Sequence, residues 1–495
     1  MYRKRPALSA LTAAPSVEER ERRVALAFID AACLLGVDGR GEPTEVHFAE
    51  DMAVWLLAID WAAASSLVRE RLQHLTTAGK DAVRASIADR LPTTAEREAA
   101  YLVASAAIYR DDHFAHRQAQ ALVDLAGILG LDRDSVDRLS TNDPRPLGAL
   151  YPLHWRLDPA SEAGTINDPL EKWAEREGLL ADPRAVVALR ALDLESFQRL
   201  TFPRCADMSA LLWAAKYTLW LYLFDDVVET HTVPGDLAGA RAFVAPCLAV
   251  PADPRPPAGA HPMIGTFAAL TRELYERSRD PDLPAKWEGA HRRYWMLGIL
   301  SEVATSEEGN ETVGLGHHFH TRPWASGVEI YFDIGEVICD AFLPSKLFAD
   351  PEVRDIRYVG ALLGGVFNDL LSFEKEKPFD NLANTALALR REFQLDDRGA
   401  LTYAIVLHDE LVRDCDRRID RFLARGGAAF ATYADMVRQA LHGVAAWQLQ
   451  SRRYVNRHRV VLSDGKYRNP DIDADRVEML RRLIVPPHLV QDGAV

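Results

Sequence analysis

Apolar positions recur at steps of three and four residues along almost the whole chain, as at Ala115, Ala119, Leu122, Ala126 and Leu129. That spacing lines them up on one face of a helix, and the abundance of Ala, Leu, Arg and Glu favours the same state. No alternating ribbon and no glycine-rich strand-to-helix turn interrupts the pattern, so the predicted fold class is all-α. The most apolar run, Met208 to Phe224, contains Lys216 and is too short for a membrane span. It predicts a buried core helix.

The pattern breaks hardest in STNDPRPLGALYP, Ser140 to Pro152, where three prolines, an Asn-Asp pair and a glycine predict a domain boundary. A second Pro-rich stretch, Pro251 to Pro262, predicts a surface loop between helices of the larger domain. From Ser463 onward Asp, Gly, Asn and Pro mix with one short amphipathic segment near Val477 to Ile484, which predicts a partly ordered tail or lid. The expected division is a disordered N-terminus over 1–16, a smaller all-helical domain over 17–142, a large helical bundle over 146–462, and the tail over 463–495. The charge run from Val17 to Val24 reads as the solvated start of a helix with its own ion pairs.

Length agrees with this division, because 495 residues exceed one ordinary core. With 48% hydrophobic and 26% charged residues, the chain is globular and a disordered or fibrous architecture is excluded. Lys plus Arg number 58 against 72 Asp plus Glu, and a net charge of −14 disfavours a nucleic-acid partner. An anionic ligand would need a local positive site or bridging metal ions. The five cysteines are scattered, odd in number and without a CxxC pair, which argues against disulfides and structural zinc and for the cytoplasm. The N-terminal stretch has basic residues but no continuous apolar run, so no signal peptide is expected.

Candidate chemistry lies after two apolar helical stretches. In FDDVVETH, Asp225 and Glu229 stand four residues apart, one turn along a helix face, with Asp226 beside them. Carboxylates this close repel unless a cation sits between them, and a hard divalent ion suits an all-oxygen set. In VFNDLLSFEKEKPFDN, Asn368, Ser372 and Glu376 fall at i, i+4 and i+8 and build a second oxygen stripe, with Lys375 adjacent as a point charge for an anion.

With DDVVE and NDLLSFEKE in one chain, the sequence resembles the class I terpene synthases of the bacterial type, over about Pro146 to Val460. The resemblance implies a class I terpenoid synthase helical bundle, Mg-dependent, that ionises a linear prenyl diphosphate and cyclises the resulting carbocation. It implies that Asp225, with Asp226 and Glu229, holds two magnesium ions and that Asn368, Ser372 and Glu376 hold a third, with manganese as a substitute. The family's diphosphate-sensing arginine precedes the NSE asparagine by 46 residues; 368 − 322 = 46 selects Arg322 in HTRPWASGVEI. Ala325, Ser326 and Gly327 correspond to the linker, effector and helix break behind it. WQLQSRRY, with Trp447, Arg453 and Tyr454, matches a tryptophan followed by an Arg-Tyr pair, and NDPLEKWAEREGLL from Asn167 resembles the opening signature.

Arg322, Lys375, Arg453 and Tyr454 are thus expected to grip the diphosphate, whose departure needs its developing charge neutralised. Tyr222 and Trp447 are the candidate pocket aromatics, each able to contribute about 0.5–2 kcal/mol by cation–π attraction. Farnesyl diphosphate is the expected substrate, being the commonest for the family; geranyl and geranylgeranyl diphosphates are the alternatives. A chain-elongating prenyl diphosphate synthase would carry a second Asp-rich motif in place of NDLLSFEKE. A non-catalytic binding or scaffold protein would have lost a metal ligand or the sensor.

The segment REAAYLVASAAIYRDDHFAHRQAQALVDLAGILGLDRDSVDRL resembles the TerB-like helical family over one hairpin, with Arg110 to His113 as its turn and Gly130, Leu131 and Asp132 as a helix start. The N-terminal domain is expected to be an interaction module for a partner protein, a dimerisation surface for a homodimer, or plain structural support. His317, His318 and His320 lack the i, i+4 spacing of zinc ligands. Asp38 to Glu42 lacks alternating acidic ligands and reads as an exposed turn.

Overall fold

A computed structural model of the chain describes residues 17–36, 49, 50, 53, 57, 59, 61–108, 125–132, 135, 136, 147–156, 165–180, 189, 190, 192–232, 235–256, 258–308, 314–377, 383–426, 428–451, 454, 460–465, 469 and 472–484. These divide into two compact units, Met1–Pro146 and Leu147–Val495. Helices dominate both, and the all-α class holds.

In the first unit, α1 (Val17–Gly36) packs against α3 (Lys80–Arg90) and α4 (Thr94–Ile108), with α2 (Trp61–Ala78) alongside. Small residues on the inner face of α1, Ala27 and Ala31, let the helices approach, and Ile29, Val68, Ile87 and Leu91 fill the core. Asp30 is buried there between Arg71, which donates from Nε and Nη2 at 2.6 Å each, and Arg90. After Leu131, the Asp132 carboxylate accepts from Ser135 N at 2.7 Å, which caps the short helical turn that follows. The Arg110 to His113 turn, the Asp38 to Glu42 segment and residues 1–16 lie outside the described residues.

The second unit is built on long helices. Helix α5 (Met208–Thr232) contains the apolar run and buries Trp213, Tyr217, Trp220 and Phe224. The indole N–H of Trp213 donates to Leu270 O at 3.1 Å and that of Trp220 to Met263 O at 2.9 Å, so no buried indole donor is wasted at either. Then come α6 (Leu283–Arg293), a π-helical turn (Tyr294–Ile299), α7 (Leu300–Glu308), α8 (Leu315–Ala325) and α9 (Val328–Ile338). Helix α10 (Pro351–Glu376) starts on an Asp350 cap with proline in its first turn. It is followed by α11 (Thr385–Glu392), α12 (Asp397–Gly426) and α13 (Ala428–Gln450).

A buried ionic network anchors α10 by its first half. Arg357 Nη2 donates to Asp333 Oδ1 at 2.6 Å, Arg293 grips Glu329 at 2.8 Å through two nitrogens, and Lys286 donates to Glu336 at 2.6 Å. Arg357 precedes Asn368 by 11 residues (368 − 357), roughly 16 Å of helix. The network therefore fixes the helix that carries the second motif well away from the motif itself.

The division between the units falls inside the expected Ser140 to Pro152 break, and two features add to the expectations. The Ser140 to Pro152 break contains strand β1 (Leu147–Leu150), which pairs in parallel with β2 (Val460–Ser463), Leu147 opposite Val460 and Leu150 opposite Ser463. Asn469 completes the other edge of β1, accepting from Gly148 N and donating to Gly148 O, both at 2.8 Å, while Asp409 accepts from Leu150 N at 2.8 Å. Strands of four residues are too short to show a period, and their partners lie at opposite ends of the unit. The segment expected as a partly ordered tail forms α14 (Ala474–Leu483), capped by Asp473, docked on α12 through buried Leu480 and an Arg481–Glu410 pair at 3.0 Å. The Pro251 to Pro262 stretch is a run of turns before the next helix, as expected. Among the described residues no helix is long and apolar enough to cross a membrane.

Candidate active site

Asp225 and Asp226 sit in the last third of α5, Asp225 half-buried and Asp226 exposed; the Glu229 side chain lies outside the described residues. Asp225 accepts a hydrogen bond from the hydroxyl of Tyr294. Tyr294 opens the π-helical turn, whose extra residue per turn re-aims its side chains. This turn runs close to α8: a Cβ on Gly298 would lie 2.6 Å from Ala325 N, so only glycine fits. The Tyr294 contact was not legible in the sequence, where a π-turn leaves no signature beyond a lone glycine.

Asn368, Ser372 and Glu376 project from one face of α10. Asn368 Nδ2 donates to the Tyr454 hydroxyl at 2.9 Å, which turns the amide oxygen the other way. The triad and the C-terminal tyrosine are thereby brought together. Lys375, whose side chain lies outside the described residues, and Arg453 remain unplaced.

Arg322, on α8, reaches α10 and not open space. It donates to Asp369 from Nε at 2.9 Å and from Nη2 at 2.6 Å, and Nη2 also meets Gly365 O at 3.2 Å. Asp369 is 1% exposed and takes two further bonds, from Thr385 N at 2.9 Å and Thr385 Oγ1 at 2.6 Å. Asp369 is a residue that sequence reasoning passed over, although it stands inside NDLLSFEKE. One position from Asn368 is about 100° around a helix, so it points to a different neighbour.

Gly327 separates α8 from α9 with φ 68°, a left-handed conformation that disfavours any side chain. The Ser326 hydroxyl donates to Pro323 O at 2.8 Å and accepts from Val328 N at 3.3 Å, so it is committed to the break itself. The helix break thus falls at Ser326 and Gly327, with Ala325 ending α8.

Glu302, on α7, was also missed, and electrostatically it faces both motifs. Burial pushes its carboxyl up to about 7, and Asp225, Asp369 and Glu376 add to the shift while Arg322 opposes it. So many carboxylates with one guanidinium leave the region short of positive charge. Among the described residues no three His, Cys, Asp or Glu side chains gather as a metal cage; the second motif supplies an amide and a hydroxyl with its carboxylate.

Tyr222 and Trp447 stack at 6.4 Å between centroids, and Trp447 meets Tyr454 edge-on at 6.0 Å. Trp447 is buried, its indole N–H donating to Leu192 O at 3.0 Å and Asp193 O at 3.2 Å. Tyr222 is the more exposed of the two. Of the three histidines, His318 is buried against Thr385 Oγ1 at 2.8 Å, His317 bonds Thr305 at 3.3 Å and His320 is exposed.

Residues 216–414 match the family described as terpene synthase family 2, C-terminal metal binding. The (+)-(1(10)E,4E,6S,7R)-germacradien-6-ol synthase of Streptomyces pratensis is 24% identical over 337 residues, 63% of this chain and 85% of that protein. The (+)-T-muurolol synthase ((2E,6E)-farnesyl diphosphate cyclizing) of Roseiflexus castenholzii is 24% identical over 313 residues, 63% of this chain and 94% of its own length. In fold, the chain is similar to the crystal structure of a-eudesmol synthase, with a TM-score of 0.51, 19% identity, and coverage of 60% of this chain and 99% of that one.

Proposed function

We propose, from the premise that this chain is a class I terpene synthase, that it ionises farnesyl diphosphate with three magnesium ions held by its two motifs and cyclises the cation to a terpene hydrocarbon or alcohol. The observation that carries the reading is the gathering on α10 of the Asn368, Ser372 and Glu376 face with Tyr454, bonded to Asn368, and Arg322, bonded to the adjacent Asp369. Asp225, Asp226 and Glu229 would hold two ions and Asn368, Ser372 and Glu376 the third. The donors fit, being carboxylate, amide and hydroxyl oxygens with no thiolate or imidazole among them, as a hard divalent ion requires. Bound there, the ions would neutralise charge developing on the departing diphosphate.

The chain's own residues do the rest. Arg322, Lys375, Arg453 and Tyr454 donate to the diphosphate and orient it, Arg322 from a position Asp369 has already fixed. Ser326 and Gly327 interrupt the helix behind the sensor. Aromatic faces such as that of Tyr222 exclude water from the cation and offer no strong base. A fifteen-carbon substrate is supported by a relative whose name specifies farnesyl diphosphate; geranyl and geranylgeranyl diphosphates stay the alternatives. A cytoplasmic setting is supported by five free cysteines. The N-terminal unit, whose sequence resembles the TerB-like family over one segment, we assign to homodimer or partner contact.

Purified protein with magnesium should release diphosphate and a cyclic terpene from one of the C10, C15 or C20 diphosphates, measured by gas chromatography–mass spectrometry. Asn368→Ala and Arg322→Ala should each abolish turnover. Neither product nor diphosphate from any of the three substrates would refute the reading.

A further inference from the structure

We infer that Asn384 is a positioning residue for the metal-ligating face of α10, orienting the Glu376 carboxylate and the Ser372 hydroxyl from the cap of the next helix. The inference rests on the proposed function, since it concerns how those ligands are held.

Asn384 is fully buried and caps α11. Its Oδ1 accepts from Ala386 N at 2.9 Å and Leu387 N at 3.2 Å, and two backbone donors on one end settle which end is the amide nitrogen. Its Nδ2 donates to Asp369 O at 2.8 Å and Glu376 Oε2 at 2.9 Å, and more weakly to Ser372 Oγ at 3.4 Å. One side chain therefore starts α11 and touches two of the three residues of the NSE face. The next residue, Thr385, holds Asp369, so the same two-residue corner serves both the ligands and the sensor's partner.

Glu376 needs such a hold. It ends α10, where helices fray and where the helix dipole disfavours a carboxylate. A cation beside it would fix it but spend the charge a metal needs. A neutral amide donor pins one oxygen and leaves the negative charge in place. This is the arrangement by which outer groups orient metal ligands, and its loss weakens metal binding about 10–100-fold.

Capping and positioning are separable by substitution. Aspartate caps helices as well as asparagine does, but Asn384→Asp replaces the donor facing Glu376 with an acceptor. Asn384→Ser is a second capping variant, and Asn384→Ala removes both functions. Thermal melting without ligand reports the cap; calorimetric titration of magnesium in the presence of inorganic diphosphate reports the ligands, and half-saturating magnesium in turnover follows it. We expect N384D and N384S to fold but melt below the parent, for loss of the buried donor, while binding magnesium roughly tenfold or more weakly, and N384A, which loses the cap as well, to melt below N384S. Parent-like magnesium binding in either folded capping variant, or failure of both to fold, would overturn the inference. A parent protein that binds no magnesium with diphosphate would instead overturn the proposed function.

Discussion

Arg322 and Asp369 illustrate how a single neighbour changes what a residue can do. A guanidinium clasped by two oxygens of a buried carboxylate presents its remaining N–H groups in one fixed direction, so the proposed diphosphate donor is set before any ligand arrives. Glu302 is the contrasting case, a carboxyl whose neighbours are mostly of its own sign. Its folded value near 7 lies above the unfolded value of 4.5, so the folded state holds a proton that the unfolded state has lost. Metal-free stability should therefore fall as pH rises from about 4.5 to 7 and level off above, by roughly 2–3 kcal/mol after allowing for partial exposure. In urea denaturation with chelator, Glu302→Gln should remove that slope and be the more stable protein at pH 8. An unchanged slope would show that Glu302 does not feel both motifs.

At the scale of elements, the π-helical turn joins parts that the sequence keeps apart. Tyr294 bonds Asp225, and its ring lies 3.8 Å from where a Cβ on Gly327 would stand, so the first acidic motif and the helix break share one aromatic neighbour. Tyr294→Phe keeps the ring and removes the donor. It should cost no more than about 1.5 kcal/mol of stability yet raise half-saturating magnesium by about tenfold; unaltered magnesium dependence would relegate Tyr294 to packing. The two motifs themselves were legible, because i, i+4 and i+8 spacing on a helix is local geometry. Tyr294, Glu302 and Asn384 were not, because each reaches its partner across the bundle or around a corner, and nothing in its own flanking residues marks it. The four-residue strands were invisible for the same reason, each being a strand only by virtue of the other.

For the whole molecule, the two units have separate cores, one running through Ile29, Val68 and Ile87, the other through the long helices from Trp155 to Leu480. A fragment beginning at Leu147 should fold and keep the synthase activity, whereas one beginning at Leu153 loses β1, leaving β2 unpaired. We expect the shorter fragment to unfold at lower temperature and to turn over more slowly, since β2 follows the segment that carries Arg453 and Tyr454. Equal melting and turnover in both fragments would show the strand pair to be dispensable. The 72 Asp and Glu side chains also divide: some are met by internal ion pairs such as Arg357 with Asp333, and others gather around Glu302.

By itself the amino-acid sequence determined the helical class, the apolar run of α5 and the two oxygen-rich motifs, because periodicity and spacing act within one helix; Arg322, on another helix, was selected only by the family resemblance. Only the tertiary structure decided that Arg322 closes on Asp369, that Asn384 links a helix cap to Glu376, and that the ends of the larger unit meet as paired strands. Those contacts join separate elements, and their strength comes from burial that no single segment creates alone.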